Sequence, residues 1–443
     1  MKNLIKSLLL GFALSTLSGL VAADEPAPPP APPETLLEAV TGGKPLTSFR
    51  FRYESVEQDG NGAAPYTAVP LKDAHAATLR SLIGWQTAPF RNISVGIQII
   101  NVAKIDDNFN DRSHALNTAG KEGYAIVADP DFTGLNQFYV DWTGIPDTKV
   151  RAGLQSVKLD NVRFIGNVEF RQVMQVFEGV AIENKTIPNT EIYVAYFAKN
   201  RNINTDDKPD NTGILHAMYR ISPSESLIGY GYLFDQQQIA VASNTSSKTF
   251  GLRLDGAHKV NDDWKVLYTA EYAKQDDYGD SRGRTDAQGQ VDAHYYKIGA
   301  GAGYGNWWAR LDQELLSSNN GRYAFQTPLG TNHLFQGWVD KFLTTPNEGI
   351  RDTFITAGGK WQDFTFLTEY HWFNSDVDFT KTAATGGGLS DKYGKEWDVS
   401  VTYTYNKNIM GKIEYGTYTE DDQRNAGRIR DTDKLWLTAM YTF

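Results

Sequence analysis

Eighteen stretches of the chain alternate between apolar and polar side chains, residue by residue. They cover 46–57, 77–86, 93–102, 135–143, 148–156, 174–183, 190–199, 212–221, 226–235, 247–259, 264–274, 292–303, 306–316, 351–361, 363–374, 395–405, 409–419 and 432–443. A period of two places successive side chains on opposite faces of an extended strand. The final stretch, DKLWLTAMYTF, shows it most clearly. Leu435, Leu437, Ala439, Tyr441 and Phe443 share one face, and Lys434, Trp436, Thr438, Met440 and Thr442 the other. A chain end this regular must pair on both sides to escape fraying.

The links between stretches alternate in length. After each even-numbered stretch the link is a short turn, such as GIPD at 144–147, SPSE at 222–225, VNDD at 260–263 or NKN at 406–408. These are the Gly, Pro, Asn and Asp turns of hairpins. After each odd-numbered stretch the link is long and polar, as at 103–134, 317–350 and 375–394. Short turns at one end and long loops at the other are the asymmetry of a bacterial outer-membrane barrel. The pattern therefore predicts an all-β fold: a transmembrane antiparallel β-barrel of 18 strands, with short periplasmic turns and long extracellular loops. A barrel of that size encloses more lumen than its own side chains fill.

Composition agrees. MKNLIK, the apolar run SLLLGFALSTLSGL and the small residues ending at Ala23 predict a cleaved signal peptide over 1–23. A Pro-rich periplasmic linker is expected over 24–45, with six of the 17 prolines in 24–34, and the barrel over 46–443. There is no cysteine, which excludes thiol catalysis and Cys-ligated metals. The 23 Tyr and 10 Trp fit aromatic girdles at two membrane interfaces. The net charge of −10 resides largely in the long loops (DDNFND at 106–111, TDDKPDN at 205–211), so it does not set the sign of a pore.

Putting the apolar face toward lipid assigns the other face to the lumen. The basic candidates there are Arg50, Arg52, Arg80, Lys149, Arg151, Arg220, Arg253, Lys297, Arg310, Lys412 and Lys434. The acidic ones are Glu54, Asp141, Glu178, Asp255, Glu271, Asp312, Glu314, Glu369 and Glu414. Four pairs sit two apart on one strand: Arg52 with Glu54, Arg253 with Asp255, Arg310 with Asp312, and Lys412 with Glu414. Opposed charges across a pore filter solutes by their field, and the arginine fork matches carboxylate geometry.

Two segments are more specific. DPDFTGLNQFYVDWTG with VRAGLQSVKLDNVRFIGNVEFRQ over 129–172, and FQTPLGTNHLFQGWVDKFLTTPNEGIRD at 325–352, resemble the alginate export family of outer-membrane barrels. That resemblance implies a monomer passing anionic saccharides or sugar acids. It also implies that the 157–173 and 317–350 loops fold inward. Carried onto this chain it adds Asn161, Arg163, Asn167, Arg171 and Gln172 as constriction residues, with His333, Trp338, Asp340 and Lys341 in the second loop. Where the family commonly has Gly-Arg-Gln-Arg, this chain has Gly153-Leu154-Gln155-Ser156.

Catalytic motifs are weak. GDSRG at 279–283 matches a nucleophile elbow only if it joins a strand to a helix. DDNFND spaces Asp106, Asn108 and Asn110 like a calcium loop, but Asp111 and Asn117 stand where Gly and Glu are needed. GAGAG at 299–303 lies mid-strand, where glycine marks a bend or close approach. The expectation is a passive channel and no enzyme, needing no metal or cofactor. Its solutes would be anionic saccharides or small organic acids, with a general porin as the alternative. Expected partners are outer-membrane lipid and lipopolysaccharide, with no nucleic acid.

Phe443 resembles the terminal aromatic that the barrel-assembly machinery reads. A chain lacking Phe443 is expected to insert poorly, scored as loss of the heat-modifiable band from the outer-membrane fraction. Normal insertion would remove that role.

Overall fold

The computed structural model describes residues 32–59, 71–112, 121, 123–237, 240, 244–381, 386–422 and 430–443. The expected signal peptide, most of the Pro-rich segment and Asn117 lie outside them. Eighteen strands form one closed antiparallel sheet. In chain order β1–β6 are Ser48–Gln58, Ala74–Gln86, Ile93–Asn108, Phe132–Trp142, Thr148–Gln155 and Val176–Asn184. β7–β12 are Thr190–Arg201, Asp210–Ser222, Glu225–Gln236, Ser247–Lys259, Trp264–Asp277 and Asp292–Tyr304. β13–β18 are Trp307–Leu316, Ile350–Trp361, Phe364–Thr380, Leu389–Thr404, Ile409–Glu420 and Thr432–Thr442. Every predicted stretch is a strand.

The seam joins β1 to β18 from Ser48↔Thr442 through Gln58↔Thr432. Closure leaves neither strand with a free edge, and pairs the backbone polar groups as hydrocarbon requires. The outer face is apolar: Ile97, Val180, Leu215, Leu252, Ile298, Leu311 and Ile413 all point away from the lumen. Near the short turns it becomes aromatic, with Trp142, Trp264, Tyr304, Trp307, Trp361, Tyr405 and Phe443. An apolar belt above an aromatic girdle on a closed barrel is the surface of an outer-membrane protein.

Two expectations change. The 103–134 and 375–394 loops are shorter than read, because β3, β15 and β16 run 16, 17 and 16 residues. That exceeds the roughly 9–11 residues needed to span the membrane. Above the membrane both faces are polar (Asn374, Ser375, Asp376), so pairing continues where alternation no longer shows it. Glu178 does not face the lumen. It shares the parity of Val180 and Ile182, which face outward, and reaches Lys199 at 2.9 Å.

Within the predicted linker, Leu36–Thr41 form a short helix, α1, capped by Thr35. It docks beneath the barrel, with Trp85 Nε1 donating to the Val40 carbonyl at 2.8 Å and the Ala88 amide to Ala39 at 2.8 Å.

Candidate functional site

The interior is narrowed by the segments 156–175 and 317–349, which follow β5 and β13 and turn into the lumen. They bond to each other through Gly166 N to the Leu329 carbonyl and Thr331 N to the Val162 carbonyl, both 2.9 Å. Phe164 anchors the first segment. Its ring lies 5.1–6.0 Å from those of Tyr230, Tyr232, Tyr295 and Phe325. An aromatic on the lumen face of β9 or β12 is thereby buried by the loop and not left in water.

Polar side chains fix both segments to the wall. Arg163, 1% exposed, pairs with Glu314 at 2.9 Å and donates to Gln336 Oε1 at 3.0 Å. Arg171 bridges three elements: Glu54 of β1 at 3.0 Å, Asp129 at 3.8 Å and Asp340 at 2.9 Å. Burial alone would lower its pKa, but Glu54, Asp129 and Asp340 hold it above the ordinary value. Asp340 also accepts from Lys434 at 2.9 Å and faces His333 Nδ1 at 2.7 Å. Burial opposes its charge, yet Lys434, His333 and Arg171 keep its pKa well below the usual carboxylate range. His333 stacks on Phe170, and burial pulls its pKa down.

The arginines of β1 hold the loop backbone. Arg50 donates to the carbonyls of Glu169 at 2.7 Å and Arg171 at 2.5 Å, and to Gln172 Oε1 at 2.9 Å. Arg52 donates to the Phe170 carbonyl and, across the seam, to Thr438 Oγ1 at 3.3 Å. The expected Arg52–Glu54 pair therefore does not form, because the loop recruits each residue separately. Arg80 faces Arg50 across the strands, is 0% exposed, and has no hydrogen-bond partner on any guanidinium nitrogen among the described residues.

The other expected pairs form: Arg253 with Asp255 at 2.5 Å, Arg310 with Asp312 at 2.6 Å, and Lys412 with Glu414 at 2.6 Å. Gly299 makes room for one of them, since a Cβ there would overlap the Asp312 carboxylate. Arg151 chelates Asp141 at 2.6 and 2.7 Å. Arg151, Lys149, Lys158, Ser156, Asp160 and His216 line a cleft of about 390 Å³ toward the short turns. Ser156 stands there in place of one arginine of the alginate-export pattern, and Asn161 Oδ1 caps the Arg163 amide at 3.2 Å. Arg220, Asp255 and Arg310 share a second cleft of about 460 Å³. Glu369 reaches Thr356 Oγ1 at 3.0 Å and Trp338 Nε1 at 2.9 Å.

GDSRG is a 3-10 turn in an extracellular loop, with the Ser281 hydroxyl donating to the Tyr278 carbonyl. It does not join a strand to a helix. In DDNFND, Asp106 accepts from Asn108 and Asp111 is held by Lys104, so neither is arranged around a shared centre.

No family model and no curated protein matches the sequence. Solved structures do match the fold. OccAB2 of Acinetobacter baumannii superposes with a TM-score of 0.68 at 14% identity, over 92% of this chain and 99% of that one. OpdQ of Pseudomonas aeruginosa gives 0.63 at 16%, over 92% and 99%. OpdK of the same organism, solved with vanillate, gives 0.60 at 14%, over 89% and 97%. The fold is that of outer-membrane porins. The likeness is to Opd and Occ proteins and lends no support to the alginate-export resemblance.

Sequence parity missed the buried partners contributed by loops, Asp129 and Asp160. It also left unconnected a group on adjacent strands: Asp352, His371, Glu396 and Asp398. Their adjacency was available from strand order, since β14, β15 and β16 are consecutive.

Proposed function

We propose that the protein is a passive outer-membrane channel for small anionic solutes, of the size of organic acids or short sugar acids. The observation that supports this best is the convergence of Arg50, Arg52 and Arg80 on two neighbouring strands beside the loop tip. Two of them are engaged by loop carbonyls, while Arg80 has no partner among the described residues. These guanidinium groups are buried, so they act on a passing carboxylate through their field and not by contact, drawing it toward the narrowed section without a covalent step. Clefts of about 390 and 460 Å³ below the loops fit a small molecule.

A second reading, a general porin, also has an observation in its favour. Charges lining the first cleft and the loop beside it are already paired: Lys149 with Glu183, Arg151 with Asp141, and, within the loop, Lys158 with Glu169. Planar-bilayer recording under a KCl gradient separates the two. The anionic reading expects an anion-selective reversal potential, block by uronate monomers or small aromatic carboxylates, and reduced selectivity in Arg80→Met. Cation preference without block refutes it. Ohmic, unselective current with no block leaves the general porin.

A further inference from the structure

Behind Trp338 and Val339, the wall formed by β14, β15 and β16 holds three buried carboxylates and one partly exposed one around a single imidazole. Asp352, His371, Glu396 and Asp398 are each at most 2% exposed, and Glu369 completes the group. Strand register sets them side by side, with Glu369 opposite Asp398 and His371 opposite Glu396.

The orientation of the imidazole is the informative feature. His371 Nδ1 faces the Asp352 carboxylate at 2.9 and 3.1 Å. A carboxylate behind one ring nitrogen orients the ring and aims the other nitrogen at the acids across from it. That other nitrogen, Nε2, has no hydrogen-bond partner among the described residues. It points between Glu369 Oε2 at 3.7 Å and Asp398 Oδ2 at 3.8 Å, too far for hydrogen bonds. Among the described residues, Asp398 Oδ1 and Glu396 Oε2 likewise accept no N–H. The backbone amides of Trp338 and Val339 reach Asp398 and Glu396 at 3.3 and 2.6 Å. Nearby cations are otherwise engaged: Arg163 on Glu314, and Lys297 over the Phe354 ring at 5.1 Å.

We propose that Glu369, His371 and Asp398 bind a divalent transition-metal ion, of which zinc is the type, in the wall of the lumen. One ligand atom from each lies within 4.8 Å of the others. A four-coordinate zinc with bonds of about 2.0–2.1 Å needs ligand–ligand edges of about 3.3 Å. The His371 edges, at 3.7 and 3.8 Å, close to that by a few tenths of an ångström at each side chain. Asp352 supplies the outer carboxylate that orients a metal-ligating histidine. One imidazole and two carboxylates select zinc or manganese over calcium, which prefers oxygen alone. The bound ion would offset the acid of this wall.

The test uses the full barrel in detergent, stripped with EDTA and dialysed against ZnCl₂, with bound metal counted by mass spectrometry. One zinc per chain is expected, retained in the presence of excess calcium. Asp398→Asn and His371→Ala should each lose it. Asp352→Asn should weaken binding by roughly 10–100-fold, the usual loss for an outer carboxylate. Each variant is first confirmed as a heat-modifiable barrel. Asp398→Asn keeps the volume of the site should His371→Ala fail to fold. Zinc also should change the tryptophan fluorescence of the wild type and not of Trp338→Phe. No zinc retained by the folded wild type, or equal zinc in wild type and Asp398→Asn, overturns the proposal. His371 would then be an imidazolium shared among the acids.

Discussion

Arg171→Met is expected to free the inward loops and widen the channel. The side chain is 6% exposed and connects the 156–175 segment to β1 through Glu54, to the preceding loop through Asp129, and to the 317–349 segment through Asp340. Methionine matches its reach without its charge. Removing one side of a buried ion pair costs about 3–5 kcal/mol, because the remaining charge is left in a site built for its partner. Here Glu54 suffers most, being wholly buried with its Oε1 already unpartnered. At about 1.4 kcal/mol per tenfold, the loop-open fraction rises by roughly 10²–10³. Limited proteolysis within 156–175 should accelerate by a comparable factor. Mean single-channel conductance should grow by ~2-fold or more, since the loops occupy lumen that the strands alone leave open. Unchanged cleavage and conductance would show that Arg50 and Arg52 hold the loop without help.

A pH effect of opposite character is expected from Lys341. Its ammonium donates to Thr432 Oγ1 and sits above the Tyr418 ring at 5.6 Å. Burial first, and then the charge of Lys434, bring its pKa down from 10.5 to about 7. Glu396, Glu420 and Asp431 pull it the other way and do not prevail. With the loop undocked, the lysine regains a pKa near 10.5 and holds its proton more tightly. The undocked state thus carries more protons between pH 7 and 10.5, and docking strengthens as pH rises through that window. Below pH 7 both states are charged and the penalty is constant. From pH 7 to 9 the proteolytic opening of the 317–349 loop should slow by about 50-fold. His333 does not interfere, since its pKa is lowered from 6.5 and it is already neutral there. Lys341→Met should flatten the profile and protect the loop at neutral pH. A profile unchanged in that variant would assign the effect elsewhere.

The barrel was legible because hydrocarbon imposes a simple rule on every strand: apolar outside, polar inside, no open edge. Parity placed Arg253, Arg310, Lys412 and their acids correctly, since two residues on one face of one strand meet without further information. It was misapplied at Glu178, whose charge suggested the lumen although it shares the outward parity of Val180 and Ile182. It also failed for Arg52 and Glu54, whose neighbour in sequence is not their neighbour in energy. A loop more than a hundred residues away supplies a carbonyl to one and a guanidinium to the other. The family resemblance did anticipate that 157–173 and 317–350 turn inward. It named the tethers Arg163 and Arg171 without giving the acids they would meet. Those acids lie on β1, on β13 and in two other loops, and no local pattern connects them.

The strands that meet at the seam are also those that grip the loops. Arg50, Arg52 and Glu54 belong to β1, and Lys434 and Thr438 belong to β18, the first and last strands synthesised. Arg52 spans the join itself, and Asp340 is held from both sides of it, by Lys434 directly and by Glu54 through Arg171. A nascent sheet that has not yet brought its two ends together lacks half of this grip. The narrow passage is therefore a late product of maturation: the loops are fully gripped only when the circumference is complete.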